Sequence, residues 1–268
     1  MNRFEDKVVI VTGSSSGIGK AAALRFAKEG ASVVLHGQNV EKLENTFQEF
    51  VSSGISKSKL LVISGPIQDE AVQEKLINET VSHFGKLDVL VNNAGVSMKS
   101  KENGNSLESF DLVFAVNVRA VYRLIQLAAP HLEKTKGNVV NVGSALSEKT
   151  HPIYMPYSIS KAAVNHLTRN FANTLSPKGI RVNCASPGLT LTDFVSRHGI
   201  PEQKAHEMFN TLAKEATLLG RASTADEQAD LILYLAAPTT TYITGSIVFN
   251  EGGILAKSHA NAGLFKTQ

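Results

Sequence analysis

The chain has 268 residues, a length that a single large α/β domain with a sizeable core can account for. Its hydrophobic content of 43%, charged content of 19% and net charge of +3 are those of an ordinary globular protein, and the scattered basic residues predict no nucleic-acid partner. Cys184 is the only cysteine, which excludes an internal disulfide and a cysteine-cluster metal site, so we predict no metal. We expect Cys184 to be a buried structural thiol.

The two ends of the chain and its apolar runs bear on location. The N-terminal residues are polar and lack the apolar centre of a signal peptide. Apolar runs stay well short of the ~20 residues that a membrane span needs. A single cysteine fits a reducing compartment. We therefore expect a cytoplasmic protein with no membrane partner.

A phosphate-binding loop is predicted near the N-terminus. A short β-branched run over 7–12 predicts a strand, Gly13-Ser14-Ser15-Ser16-Gly17-Ile18-Gly19 follows it, and Ile18, Ala22 and Phe26 then recur at helical spacing. Glycines let the backbone approach a pyrophosphate, and a helix N-terminus offers free N–H groups. The alternative is a glycine-rich tight turn. A nucleoside-triphosphate loop is excluded because its Gly-Lys-Ser/Thr sequence is missing.

The rest of the chain alternates short apolar strands with helices. This alternation predicts repeated βαβ units, and thus an α/β fold with a doubly wound parallel sheet flanked by helices. We expect one or two helices over the carboxyl edge of the sheet within 189–224. Further strands are predicted over 32–36, 60–63, 87–91, 138–142, 180–184 and 246–249, and further helices over 69–84, 107–128 and 157–175.

Tyr157 and Lys161 stand four residues apart on the last of these helices and so share one face. A phenol with a pKa of ~10 is a poor acid or base at neutral pH, and a neighbouring cation lowers that pKa. Such a pair could move a proton to or from an alcohol or carbonyl oxygen. An exposed helix pair without function has the same spacing, so the neighbouring motifs decide between the two.

Taken together, the motifs resemble those of the short-chain dehydrogenase/reductase family over about residues 5–253. The matching positions, in the order of the family, are Thr12-Gly13 to Gly19, Asn92-Asn93-Ala94-Gly95, Asn117, Ser144 thirteen residues before Tyr157, Pro187-Gly188 with Thr192, and Gly252-Gly253. Each match alone is weak, whereas the ordered set is specific.

The resemblance implies a single Rossmann-type NAD(P)-binding domain over 1–255, with 256–268 as a C-terminal tail. It implies an NAD(P)-dependent oxidoreductase that transfers hydride between a nicotinamide cofactor and a carbonyl or secondary alcohol. Tyr157 would be the general acid/base and Ser144 would hold the substrate oxygen. Lys161 would hold the nicotinamide ribose and lower the pKa of Tyr157, and Asn117 would keep a water beside Lys161.

The resemblance also implies the cofactor-binding residues. They are Gly13, Ser15, Ser16, Gly17, Ile18, Gly19, Gln38, Asn39, Ile67, Asn93, Ala94, Gly95, Tyr157, Lys161, Pro187, Gly188, Thr190 and Thr192. NAD users carry a carboxylate at the end of the second strand, where this chain has Gly37. We therefore favour NADP(H), with NAD(H) possible, although Gln38 and Ser16 stand at positions that are often basic in NADP users. Asn39, His36 and Lys20 could supply polar or positive contacts.

A second departure from the family follows the third strand. Many relatives have an acidic residue there that binds the adenine amine, whereas this chain has Pro66, which offers neither a carboxylate nor an N–H. Adenine recognition would then depend on backbone groups around Ile67, with Asp69 as a poorer candidate.

The substrate and the assembly are less constrained. The family layout gives Leu146, His151, Tyr154, Leu191 and Phe194 as substrate-side candidates, a set that favours an apolar carbonyl or alcohol. The family's dimer face lies on helices 107–128 and 157–175, so we expect a homodimer or homotetramer. One alternative is a non-catalytic NAD(P)-binding sensor or scaffold, and another is epimerisation or dehydration on the same fold.

Overall fold

The computed structural model describes residues 2–98, 104–193 and 201–257, and its centre is one parallel sheet of seven strands. The strand order is β3-β2-β1-β4-β5-β6-β7. The strands are Val8–Val11 (β1), Ser32–Gly37 (β2), Leu60–Ser64 (β3), Val89–Asn92 (β4), Asn138–Val142 (β5), Arg181–Pro187 (β6) and Ile247–Asn250 (β7).

Helices connect the strands and cover both faces of the sheet. The α-helices are Gly17–Lys28 (α1), Val40–Ser52 (α2), Glu70–Phe84 (α3), Leu107–Phe114 (α4), Ala120–Thr135 (α5), Met155–Leu175 (α6), Glu202–Ala216 (α7) and Ala225–Ala236 (α8). A π-helical turn, Ala115–Arg119, joins α4 to α5 without a break. Short 3-10 turns lie at Lys57–Lys59, Ala145–Ser147 and Ser176–Lys178.

The strands are continuous apolar runs because both faces of the sheet are buried. All four residues of β1 are buried, and alternate residues enter opposite cores. On one side Phe26 of α1 and Leu233 of α8 pack with the sheet. On the other side Leu76 of α3 and Leu124 of α5 do so.

The predicted fold class is confirmed, with differences at the level of elements. Helix α8 occupies 225–236, where the sequence analysis assigned no element. The helix predicted over 107–128 continues to Thr135, and α6 begins two residues before its predicted start. Of the one or two helices expected within 189–224, the described residues contain α7. Residues 258–268 lie outside the described part, so the C-terminal tail stays a prediction.

The continuous helix Leu107–Thr135 is, among the described residues, one that by length and composition could cross a membrane. Half of its most apolar window is buried inside the fold. A core helix passes the same test, and this helix packs against the sheet through Val121, Leu124 and Ile125.

The order of the strands decides where a ligand can bind. The chain moves from β1 outward to β2 and β3, then returns to β4 on the other side of β1. The connections that follow β1 and β4 therefore diverge and leave a crevice at the carboxyl edge of the sheet. The loops after β5 and β6 border the same edge.

Candidate active site

The glycine loop between β1 and α1 lies in this crevice and is tightly packed. Gly13 and Gly17 have φ values of +67° and +54°, a region that side chains disfavour. A Cβ on Gly13 would lie 2.9 Å from the Cα of Ala94, and one on Gly19 would overlap Asn93 Nδ2 and the Gly13 carbonyl oxygen. The loop thus brings bare backbone and the N-terminus of α1 to the crevice, as a pyrophosphate requires.

The loop after β4 holds the glycine loop in place. The Asn93 amide donates to the carbonyls of Thr12 (2.9 Å) and Gly13 (3.1 Å). The Thr12 hydroxyl accepts from the backbone N–H groups of Asn93 and Ala94, both at 3.0 Å. The two loops form one unit, so the predicted cofactor residues on both of them, Asn93 and Ala94 included, share one wall of the crevice.

The end of β2 forms the neighbouring wall. A Cβ on Gly37 would lie 2.9 Å from the Ser15 hydroxyl and 3.1 Å from its Cβ, so a carboxylate at this position would crowd the loop. Thr46 of α2 donates to the Ser15 carbonyl at 3.2 Å and closes the wall. A side chain at position 37 therefore could not be accommodated without a shift of Ser15.

Three residues considered as contacts on this wall are engaged elsewhere. His36 is buried beneath the loop, its Nδ1 accepts from the Gly13 N–H at 3.3 Å, and burial lowers its pKa to about 4, so it brings no positive charge. Lys20 forms an ion pair with Glu49. The side chain of Asn39 caps α2 by accepting from the Lys42 N–H at 2.8 Å. Gln38 is exposed.

Some of the polar groups after β3, where adenine recognition is predicted, also have partners within the protein. The carbonyl of Ile67 accepts from Gln73 Nε2 at 2.7 Å and keeps a second lone pair, so the prediction for the Ile67 backbone stays open. The carboxylate of Asp69 caps α3 by accepting from the Ala71 N–H at 2.9 Å. Pro66 is exposed beside them.

The segment after β6 lies across the crevice from the glycine loop. Pro187 ends β6, and the Gly188 N–H donates to the Asn250 carbonyl at 3.1 Å. Thr190 is buried and its hydroxyl lies 3.0 Å from that of Ser223. Two carbons of the Thr192 side chain would lie 3.2 Å from a Cβ on Gly17, so the segment contacts the start of α1.

Ser144 and Tyr157 meet at the carboxyl end of β5. Ser144 follows β5, is 9% exposed, and caps the 3-10 turn by accepting from the Leu146 N–H at 3.1 Å. Tyr157 projects from the first turn of α6, and its phenol hydrogen-bonds to the Ser144 hydroxyl. Two hydroxyls that are separate in sequence thereby form one polar pair at the crevice.

The pKa of Tyr157 is raised to about 12, first because the phenol is buried, while the hydrogen bond with Ser144 opposes the shift. This is contrary to the expectation that Lys161 lowers that pKa. The Lys161 ammonium lies 5.5 Å from the centre of the Tyr157 ring and donates to the Val142 carbonyl at 2.7 Å. It is directed at that carbonyl, and burial lowers its own pKa to about 8.

Asn117 is positioned by the π-helical turn. Its side chain accepts from the Val96 N–H (3.0 Å) and donates to the Val96 carbonyl (2.9 Å) and the Ser160 hydroxyl (3.0 Å). A Cβ on Gly95 would lie 3.4 Å from Asn117 Oδ1 and 3.7 Å from Lys161 Nζ. The side chain therefore ties the loop after β4 to α6 close to Lys161.

The substrate-side candidates are only partly gathered. Leu146 follows β5, Tyr154 precedes α6 and Leu191 follows β6, and all three side chains are half-buried. His151 stabilises the turn before α6, since its Nδ1 accepts from the N–H groups of Ile153 and Tyr154, both at 3.3 Å. Phe194 lies outside the described residues.

Lys42 and Asp193 were not identified from the sequence. The Lys42 ammonium lies 3.0 Å from Asp193 Oδ2, which joins the first turn of α2 to the segment after β6. Sequence positions 151 residues apart carry no local signal of this pairing. Cys184 is buried, as predicted. Among the described residues, no group of three His, Cys, Asp or Glu side chains could hold a metal ion.

Comparisons with known proteins agree with this geometry. Residues 13–255 match the family model described as Enoyl-(Acyl carrier protein) reductase. The 3-oxoacyl-[acyl-carrier-protein] reductase of Thermotoga maritima is 34% identical over 94% of this chain and 99% of its own length.

Solved structures agree as well. A short-chain dehydrogenase/reductase of unknown function from Caenorhabditis elegans, determined with cofactor, superposes with a TM-score of 0.92, at 36% identity over 96% of this chain and 98% of its own. A short-chain dehydrogenase from Burkholderia cenocepacia in complex with NADP gives 0.83, at 31% identity over 94% and 99% of the two chains.

The relatives support oxidoreduction with a nicotinamide cofactor and a small-molecule substrate, and give no support to a non-catalytic role. The protein is an NAD(P)-dependent oxidoreductase that transfers hydride between the cofactor and a carbonyl or alcohol. The family model that spans most of the chain, together with relatives and solved structures that are more than 30% identical over nearly its whole length, shows that this chain belongs to the short-chain dehydrogenase/reductase family.

Proposed function

We propose that the protein is an NADP(H)-dependent carbonyl reductase or alcohol dehydrogenase in which Tyr157 is the general acid/base. The observation that carries this proposal is the buried corner formed by Tyr157, its hydrogen-bonded partner Ser144, and Lys161 behind the ring. Proton donors held in place beside a reacting oxygen are the requirement for such chemistry.

The cofactor supplies the hydride when bound. The residues that would hold it are the glycine loop, the loop after β4 and the segment through Thr192, a choice that is supported by the contacts that join the three segments. Backbone N–H groups at the start of α1 would face the diphosphate. Lys161 would hold the nicotinamide ribose by turning its ammonium from the Val142 carbonyl, which lies 2.7 Å away.

The protein groups act on the substrate oxygen. Ser144 donates to this oxygen and fixes its distance from the phenol, a positioning role. Tyr157 delivers its proton to the same oxygen in reduction and accepts one in oxidation. The raised pKa of about 12 keeps the phenol protonated at neutral pH, which is the form that reduction needs. Asn117 would help to keep a water beside Lys161 and so return protons to the site.

The preference for NADP(H) is supported by the wall around Ser15. A side chain at Gly37 would crowd Ser15, so the carboxylate that reads a free ribose 2′-hydroxyl has no counterpart here. A related structure is a complex with NADP. NAD(H) is the alternative, and the relative affinity for the two cofactors decides between them.

The substrate is an apolar ketone or aldehyde, or the matching secondary alcohol. This class is supported by the apolar or aromatic, half-buried side chains of Leu146, Tyr154 and Leu191, and by the use of the His151 side chain in a turn. Beyond catalysis, we propose a cytoplasmic homodimer or homotetramer, made of single domains over 1–255.

The test is the substitution Tyr157→Phe. We expect turnover of a ketone panel with NADPH to fall by at least ~100-fold because the proton donor is lost, with NADPH affinity within about threefold of wild type. Single-turnover kinetics would measure the first quantity and nicotinamide fluorescence the second. Ser158→Ala, next to it on the outer side of α6, is the matched control. Turnover near the wild-type rate in Tyr157→Phe would overturn the assignment.

A further inference from the structure

A 2′-phosphate needs a cation near the end of β2, and none of the residues expected there supplies one. Gln38 is uncharged, and burial keeps His36 neutral beneath the loop. Lys20 pairs with Glu49, which lies in the third turn of α2 and thus away from the end of β2. The residues beside Ser15 therefore provide no positive charge for a 2′-phosphate.

Lys42 is the cation that the tertiary structure brings to this wall. It lies in the first turn of α2, and its own N–H is held at 2.8 Å by the capping side chain of Asn39. The side chain is exposed, and its ammonium lies 3.0 Å from Asp193 Oδ2. A Cβ on Gly17 would lie 3.7 Å from the other carboxylate oxygen of Asp193.

These contacts locate the ammonium. Because Asp193 borders Gly17 and Lys42 contacts Asp193, the ammonium stands over the entrance between the glycine loop and the start of α2. Thr46, one turn along α2 from Lys42, bonds the Ser15 carbonyl, so the same helix joins Lys42 to the loop residue that lies beside Gly37. A 2′-phosphate bound there would also meet the positive end of the α2 dipole.

We propose that Lys42 is the residue that binds the 2′-phosphate of NADP(H), and that it exchanges Asp193 for this phosphate when the cofactor binds. This inference rests on the proposed NADP(H) preference. A phosphate monoester carries up to two negative charges and three acceptor oxygens, whereas the Asp193 carboxylate carries one charge. The free 2′-hydroxyl of NAD(H) carries none, so Lys42 would stay with Asp193. Glu41 in the same turn is the acidic neighbour that the phosphate must also tolerate.

The experiment compares Kd values of NADPH and NADH, measured by nicotinamide fluorescence with the full-length protein. Lys42→Met should raise the Kd of NADPH by about 10- to 100-fold, the usual effect of losing a charge-assisted hydrogen bond, and leave that of NADH within twofold. Lys42→Arg should keep the Kd of NADPH within about threefold, because it keeps the charge.

Lys20→Met is the matched control, since Lys20 is also a partly exposed, ion-paired lysine near the loop. It should change neither Kd by more than twofold. Asp193→Asn removes the competing carboxylate and should leave NADPH binding as tight as wild type or tighter. If Asp193→Asn weakened NADPH as much as Lys42→Met does, the ion pair itself would be what matters and the proposal would fail.

The two levels of inference fail differently. If wild type binds NADPH more tightly than NADH and Lys42→Met leaves that ratio unchanged, Lys42 is not the phosphate ligand and the preference stands. If wild type binds NADH more tightly than NADPH, the proposed NADP(H) preference is wrong, and the inference about Lys42 is wrong as well. If Lys42→Met loses affinity for both cofactors, that substitution has disturbed the fold, and Lys42→Gln is used in its place. The proposal then requires that Lys42→Gln weakens the binding of NADPH alone and that Lys42→Arg weakens neither cofactor.

Discussion

At the scale of single residues, burial controls the acid/base chemistry. The phenol of Tyr157 has a pKa raised to about 12, so it stays protonated across the neutral range. Reduction consumes this protonated form, whereas oxidation needs the phenolate, whose fraction rises about tenfold per pH unit below the pKa.

We therefore predict opposite pH profiles for the two directions. Between pH 7 and 9, kcat/KM for alcohol oxidation should rise with pH and kcat/KM for ketone reduction should not. Initial rates in a constant-ionic-strength buffer series measure both. An oxidation rate that is already flat at pH 7 would show that the pKa of Tyr157 in the working enzyme lies below that value.

His36 gives a second prediction at this scale. Its folded pKa of about 4 lies below the ordinary value of 6.5, so between these pH values the unfolded chain binds a proton that the folded chain does not. Stability is therefore full above pH 6.5 and is lost as pH falls toward 4. Urea unfolding at pH 7.5 and 4.5 should show wild type losing about 2–3 kcal/mol more than His36→Gln. Equal losses in both proteins would contradict the predicted burial of neutral His36.

At the scale of elements, the π-helical turn Ala115–Arg119 is the irregularity that serves the site. π turns inside helices often occur at functional positions. This one turns Asn117 inward, where its side chain satisfies the N–H and carbonyl of Val96 and the Ser160 hydroxyl. The loop that carries Gly95 is thereby fixed beside Lys161.

Asn117→Ala should lower the free energy of unfolding by about 3 kcal/mol, because it removes the partner of the part-buried N–H and carbonyl of Val96 and of the buried Ser160 hydroxyl. Asn170→Ala is the control, since Asn170 is exposed on α6 and bonds within its own helix, and it should cost about 0.5 kcal/mol or less. Urea denaturation measures both. A loss in Asn117→Ala no larger than that of the control would mean that Val96 finds other partners.

At the scale of the whole molecule, the outer face of α4, α5 and α6 is apolar and exposed. Leu107 is 77% exposed, Tyr122 49% and Ile159 45%. The Tyr122 ring lies 5.1 Å from that of Phe171, which extends the face across two helices. Large exposed apolar patches mark interaction sites.

The predicted assembly is a dimer or tetramer of the 28.8 kDa chain. Light scattering at micromolar concentration should give a mass of two or four chains, and Tyr122→Glu should lower it by burying a charge at the interface. Tyr242→Glu, fully exposed on another part of the molecule, tests whether that part is used instead. A monomeric mass for wild type would contradict the prediction.

Much of the fold could be predicted because its signals are local. Strand runs such as Val8–Val11 are apolar throughout since both faces are covered, and the glycines at 13, 17 and 19 follow β1 directly. Helix α8 was not predicted, although Thr224 and Glu227 have the residue types and spacing of a capping box. The positions of Ser144 and Tyr157 could be predicted as a pair only through resemblance to a family.

By itself, then, the sequence determined the α/β class, the single parallel sheet and the glycine-rich loop that follows β1. Each of these depends on neighbours a few positions away. Only the tertiary structure decided that Tyr157 is half-buried with a raised pKa, that His36 lies neutral under the loop, and that Lys42 meets Asp193. Burial and charge pairing depend on groups that packing brings together from distant parts of the chain, and no local pattern encodes them.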